Sequence, residues 1–163
     1  MNDSDVRRFD FEIRKADVSD AQVIAVCLAA AFAEYRKLYR VGAFADTVLN
    51  SGGVERRLRE MFLFVAVSSA RIVGTIGCVA RGTDGHLRGL AVLPEWQGTG
   101  VATGLLEAAE AELRARRCCC ITLETTEPLK RAVRFYEKHG YSASGRVSDF
   151  FGMRLFEYSK VLL

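Results

Sequence analysis

The chain has 163 residues, half of them apolar and 26% charged, with a formal net charge of +3. That length is one domain, 1–163, with a single sizeable core. The composition is ordinary for a soluble globular protein, and so small a charge argues for no nucleic-acid partner.

The first residues, Met1-Asn2-Asp3-Ser4-Asp5, are polar and acidic and do not resemble a secretory signal. Phe9 to Arg14 alternates strictly between apolar and polar and predicts a half-exposed strand. Asp17-Val18-Ser19-Asp20 supplies cap residues for a helix through about Tyr35. Within it the longest apolar stretch, Ala21 to Ala33, is too short to span a bilayer, so no membrane partner is expected. A looser segment runs on to Glu60. Its Arg56-Arg57-x-Arg59 cluster is interleaved with Glu55 and Glu60 and reads as a solvated helix face.

Met61 to Ser68 and Arg71 to Ala80 are apolar, β-branched runs parted by Ser69-Ala70, which predicts an antiparallel hairpin. Gly82 to Gly85 reads as a turn, and His86 to Leu93 as the next strand. The helix from Gly98 to about Arg117 buries Ala102, Leu106, Ala109 and Leu113 on one side. Thr103, Glu107, Glu110 and Arg114 lie on the other. Ile121 to Thr125 is a strand. Glu127-Pro128 opens a second helix, and Lys138-His139-Gly140 closes it. Tyr141 to Val147 and Met153 to Val161 complete the order. The expected fold is α/β, a central mixed and mostly antiparallel sheet flanked by helices.

The cysteines make no metal site. Cys118, Cys119 and Cys120 are consecutive and alternate across a strand, while Cys27 and Cys78 stand alone in apolar runs. All five are expected to be small buried hydrophobes in a reducing, cytoplasmic setting.

Chemistry concentrates in Leu90-Ala91-Val92-Leu93-Pro94-Glu95-Trp96-Gln97-Gly98-Thr99-Gly100-Val101-Ala102. A buried strand turns through glycines directly into an amphipathic helix, whose exposed N–H groups and dipole make an anion site suited to phosphate. A P-loop would need Lys-Ser/Thr after the last glycine, and Val101-Ala102 stands there instead. A dinucleotide fingerprint places its third glycine one residue before Gly104, and its turn follows the strand at once, whereas Pro94 to Gln97 intervene here. Glu124 could still mimic the ribose-binding acid, which keeps a dinucleotide-binding oxidoreductase as an alternative.

Val92-Leu93-Pro94-Glu95-Trp96-Gln97-Gly98-Thr99-Gly100-Val101-Ala102 resembles the V-x-P-x-x-[RQ]-G-x-G-[IV]-[GA] signature of the GNAT superfamily of N-acetyltransferases. Ala132 to Tyr141, AVRFYEKHGY, is similar to that family's A-x-x-x-Y-E-x-x-G-[FY] helix and exit. The resemblance implies an acyl-CoA fold in which strands His86–Leu93 and Ile121–Thr125 splay. Backbone groups of Leu90, Ala91 and Val92 would pair with the pantetheine arm of acetyl-CoA. Gln97, Gly98, Thr99, Gly100, Val101 and Ala102 would hold its pyrophosphate through their N–H groups. Tyr136 stands where the family protonates the departing thiolate, and a backbone N–H near Val92 would meet the oxyanion. His86 aligns with the family's acidic base; His86, Glu124 or a water wire remain as candidates for that role. Leu129 replaces the family's CoA-contacting Asn, and a non-catalytic acyl-CoA sensor is therefore the other alternative.

The substrate wall implied by the resemblance comprises the first helical region and the last hairpin. It offers Phe32, Tyr35, Tyr39, Phe44, Asp149, Phe150 and Phe151. Tyr35, Tyr39 and Asp149 would suit a cationic amine. A small-molecule amine and a peptide amine are not distinguished, and the last strands could pair across a homodimer.

Overall fold

Strands that alternate or run continuously apolar supply the sheet of this computed structural model, which describes residues 9–162. The strands are β1 (Glu12–Lys15), β2 (Phe62–Ser68), β3 (Arg71–Arg81), β4 (Asp84–Val92), β5 (Cys120–Thr126), β6 (Ser142–Phe150) and β7 (Met153–Val161). They lie in the order β1-β2-β3-β4-β5-β7-β6, antiparallel except for the central pair β4–β5. This is the expected mixed sheet. β1 is shorter than its pattern because Phe9 leaves the ladder to stack edge-on against Trp96 at 5.0 Å.

Five helices flank the sheet: α1 (Ala21–Phe32), α2 (Val41–Thr47), α3 (Ser51–Glu60), α4 (Val101–Ala115) and α5 (Lys130–Lys138). Asp17 and Asp20 form a reciprocal capping box on the short turn before α1, and Arg14 grips the buried Asp20 carboxylate at 2.8 and 2.9 Å. After Phe32 the helix tightens to 3-10 geometry through Leu38. The helical run Val18–Leu38, 21 residues, is thus longer than the apolar stretch alone and meets the length and composition for crossing a membrane; 44% of its apolar 18-residue window is buried inside this fold. The looser segment resolves into α2 and α3, the latter capped by Asn50 accepting from the Gly53 N–H.

The β2–β3 turn falls at Ser69-Ala70 as expected, and two other boundaries differ from the sequence reading. The β3–β4 turn needs only Gly82 and Thr83, so Asp84 and Gly85 already pair within the ladder. The β2–β3 turn puts Ser69 and Ala70 at φ 47° and 63°, the left-handed pair that a tight hairpin demands. Glu127 and Pro128 sit in a turn before α5, because Leu129 and Lys130 donate back to Thr126 and Pro128 instead of opening the helix.

α4 lies over the strands β2–β4, with Val101, Leu105, Leu106, Ala109 and Leu113 buried. The approach to β3 is close: a Cβ on Gly74 would meet Leu105 and Val101 side chains at 2.9 Å. Glu110 departs from expectation. It is 6% exposed and accepts from Tyr141 at 2.9 Å and from Lys160 at 3.0 Å, so a buried carboxylate ties α4 to β7. Cys27, Cys78 and Cys118 are buried as expected. Cys119 is exposed and Cys120 half-buried, their thiols bonded to the Thr83 carbonyl and the Asp84 carboxylate at the start of β5.

Replacing Leu105 by Ala empties a fully buried position and should cost ~2–5 kcal/mol. Urea unfolding should show a lower midpoint at an unchanged slope.

Candidate active site

The site begins with a fault in the β3–β4 ladder. Thr75 pairs with Ala91 but Gly77 pairs with Arg88, so Gly89 and Leu90 oppose Ile76 alone. Such a bulge needs a residue that tolerates the left-handed region, and Gly89 has φ +69°. On its other edge β4 pairs with β5 only from Asp84 to Leu87. Beyond Leu87 the two strands part, and the backbone of Leu90, Ala91 and Val92 faces a cavity of about 940 Å³. The splay expected between these strands is present.

One end of the cavity is an anion cradle. Gly100, at φ +94°, is the N-cap of α4, and no side chain caps the first turn. A Cβ at Gly98 or Gly100 would meet nothing within 4 Å, so the space above both glycines is open. Gly98, Gly100, Ala102 and Thr103 line the cavity. The open cradle, the bare helix terminus and the free β4 edge fit an extended phosphate-bearing ligand such as coenzyme A.

Three cradle residues are also engaged within the protein. The Gln97 N–H donates to the Pro94 carbonyl at 3.3 Å, and its side chain accepts from Arg131 at 2.7 Å, so its own amide is not free. The Thr99 hydroxyl donates to the Trp96 carbonyl and fixes the loop. Val101 is fully buried against Gly74 and seats the helix. The Arg131 guanidinium also reaches Glu34 and, at 3.2 Å, the Tyr35 hydroxyl. Lys138 and Arg131 give this end its positive charge, while Leu129 adds an apolar contact where a polar one was in question.

Tyr136 and His86 both line the cavity. Tyr136 is 8% exposed between the rings of Phe135 and Tyr141, and burial pushes its phenol well above the ordinary range. His86 Nδ1 lies 3.0 Å from the Thr122 hydroxyl, which itself reaches the Gly85 carbonyl at 3.5 Å. With the hydroxyl proton directed at that carbonyl, Thr122 accepts from Nδ1–H and Nε2 keeps its lone pair. Burial lowers the His86 pKa below its usual 6.5, against a smaller opposing pull from Glu124. Glu124 is exposed on the same face of β5, two residues beyond Thr122. His139, read as a cap, donates from Nδ1 to the Phe135 carbonyl at 2.8 Å.

At the other end Tyr35, Tyr39, Phe32 and Phe150 line the cavity, and Tyr39 bonds the Thr126 hydroxyl at 2.5 Å. Asp149 does not join them. Its carboxylate accepts from the Gly152 N–H at 3.3 Å and closes the β6–β7 turn outside the cavity. Phe44 and Phe151 likewise serve packing: Phe44 against Tyr39, and Phe151 above Gly42. The charged groups at this end come from elsewhere. Arg88 pairs with Asp46 at 2.5 Å, and Arg57, 8% exposed, reaches the cavity beside the bulge, where a Cβ on Gly89 would meet its Nη1 at 2.8 Å. Burial and the neighbouring Arg88 push Arg57 down to about 10, still protonated at neutral pH. The sequence reading gave Arg57 to solvent, yet it lies three residues after the buried Val54, on the same face of α3. That spacing was the available signal.

A profile of the Acetyltransferase (GNAT) family matches residues 27–141. The chain is 34% identical over 104 residues to the N-alpha-acetyltransferase 30 of Schizosaccharomyces pombe, a stretch covering 60% of this chain and 69% of that one. Among solved structures, the PaiA N-acetyltransferase of Thermoplasma acidophilum in complex with coenzyme A superimposes with a TM-score of 0.79 at 17% identity, over 94% of this chain and all of that one. The ribosomal-protein-S18-alanine N-acetyltransferase of Escherichia coli gives 0.77 at 14% identity, over 93% and 94%. Both likenesses concern the fold.

Gly100→Ala should cost ~1 kcal/mol of stability through its left-handed backbone. It should also weaken coenzyme A binding by calorimetry, because the methyl enters the open cradle; unchanged affinity would remove this loop from the donor site.

Proposed function

The chain belongs to the GNAT acetyltransferase family, and from that premise we propose that it acetylates the α-amine at the N-terminus of a polypeptide, with Tyr136 as acid and His86 as base. It is an acetyl-CoA-dependent N-acetyltransferase. When bound, acetyl-CoA supplies an activated thioester in the groove between β4 and β5.

The observation that carries the acceptor reading is the half-buried His86 on the cavity wall, its Nδ1 3.0 Å from the Thr122 hydroxyl and its pKa lowered by burial. A peptide α-ammonium has pKa near 8, so freeing its lone pair at neutral pH costs roughly 1–1.5 kcal/mol. A lysine ammonium near 10.4 would cost roughly 4–5 kcal/mol. A weak, half-buried base is matched to the first and poorly to the second. The curated relative from fission yeast, an N-alpha-acetyltransferase by name, supports the same choice. Tyr35 and Tyr39 then form the wall along which the acceptor enters, with Asp149 playing no part.

Tyr136 remains protonated throughout the physiological range, as an acid must. The desolvation that raises its pKa also raises that of a thiolate beside it, so the two stay close enough for proton transfer as the C–S bond breaks. Two cavity-lining groups suited to acid and base work favour turnover over a non-catalytic sensor. Three antiparallel strands ahead of the glycine loop leave no dinucleotide fold for an oxidoreductase. The buried thiols support a reducing, cytoplasmic setting, and the exposed edge strand β6 is the surface that a homodimer would use.

Two measurements test the roles. Tyr136→Phe should reduce kcat substantially with acetyl-CoA affinity nearly unchanged, and unaltered turnover would remove Tyr136 from the mechanism. The kcat–pH profile on an N-terminal peptide should rise through an inflection below 6.5, as His86 loses its proton, and then level off. His86→Gln should abolish that acid limb; a limb that persists in the variant assigns the base elsewhere.

A further inference from the structure

A cation withdrawn from water without a hydrogen-bonding partner is costly for a fold to hold. The other buried charges here are matched. Asp20 is gripped by Arg14, and Glu110 by Tyr141 and Lys160. Arg57 is not. Its guanidinium pairs with no carboxylate among the described residues and keeps contact with solvent where it borders the cavity, and Asp46 and Glu60 act on it only from farther off. Asp46 is already engaged by Arg88 at 2.5 Å. The stem of Arg57 is buried under α3, and its polar end borders the cavity next to the β4 bulge. This is the acceptor end, which also holds His86, Glu124 and the Arg88–Asp46 pair, and Arg57 is the buried charge there without an ion-pair partner.

We propose that Arg57 recognises a carboxylate on the acceptor, so that the preferred acceptor offers its amine to the His86–Glu124 side and its carboxylate to Arg57. A guanidinium fork matches a planar carboxylate with two parallel N–H donors. Arg57 is a single cation whose neighbour Arg88 is committed to Asp46, which suits one negative charge rather than a phosphate dianion. The carboxylate has two sources: an Asp or Glu side chain at the first position of a peptide, or the α-carboxylate of a free amino acid. The inference rests on the reading that the acceptor amine meets the donor beside His86.

The test is steady-state kcat/KM with isosteric pairs of acceptors. One series uses peptides beginning with Glu against Gln and with Asp against Asn; the other uses free amino acids against their α-amides. The expected result is a preference of roughly tenfold or more for the carboxylate in one series, which identifies the source. Arg57→Gln should bring that ratio close to one, and Arg57→Lys should restore part of it. Parity within both series in the wild-type protein overturns the proposal, as does a preference that survives Arg57→Gln. A panel in which no carboxylate-bearing acceptor is acetylated overturns it too. Calorimetry with acetyl-CoA reports whether Arg57→Gln is folded; if it is not, the wild-type and Arg57→Lys ratios decide. Parity alongside an intact His86 acid limb sinks this inference alone. Loss of the limb with the charge preference retained sinks the placement of the amine.

Discussion

Everything in this site depends on β4 and β5 being unable to stay paired. Each strand is steered by its other neighbour: β4 by β3, whose ladder carries the Gly89 bulge, and β5 by β7, with which it pairs along its whole length from Cys120 to Thr126. A bulge increases local twist, so the two strands share a direction only as far as Leu87 and Leu123. The opening left behind has fixed walls. α4 packs over β2–β4 on one side of it, and the buried Glu110 with Lys160 and Tyr141 clamps the C-terminal half of the sheet to that helix. Breaking such a clamp from one side would strand a charge in the interior.

The two ends of the opening are built from different chemistry. Backbone amides, a helix dipole and bare glycines form the donor end, where a side chain would only keep a phosphate at a distance. The acceptor end is made of side chains that protrude from β4, β5, α2 and α3: His86, Arg88, Glu124, Asp46 and Arg57. The first design constrains sequence tightly, since few residues fit a left-handed turn. The second constrains charge and reach only, and it can be rebuilt by substitution without disturbing the fold. Solved structures at 14–17% identity share this fold.

The same asymmetry governs how much was legible beforehand. The order of elements, the mixed sheet and the glycine turn could be read because strand alternation and glycines occupy fixed spacings along the chain, while the splay followed from the family resemblance. Boundaries slipped where two elements compete for one residue, as at Asp84, which serves the ladder rather than the turn. Charged residues were harder. Glu110 and Arg57 each sit on a helix rich in solvated charges, and only their register with buried neighbours separates them from Glu107 or Arg56. Asp149 misled for the opposite reason: it has the right charge on the right hairpin, but the turn it caps points it away from the cavity.

Arg131 joins the two ends. It holds Gln97 of the glycine loop with one nitrogen and Tyr35 and Glu34 of the aromatic wall with the other. Exposed pairs of this kind contribute at most ~1 kcal/mol, so their partners exchange readily. A ligand that drew Gln97 or Arg131 toward the cradle would have to exchange these contacts for its own, and any coupling between the two ends would be reciprocal. One surface arginine is thus the side-chain link between the glycine loop and the aromatic wall.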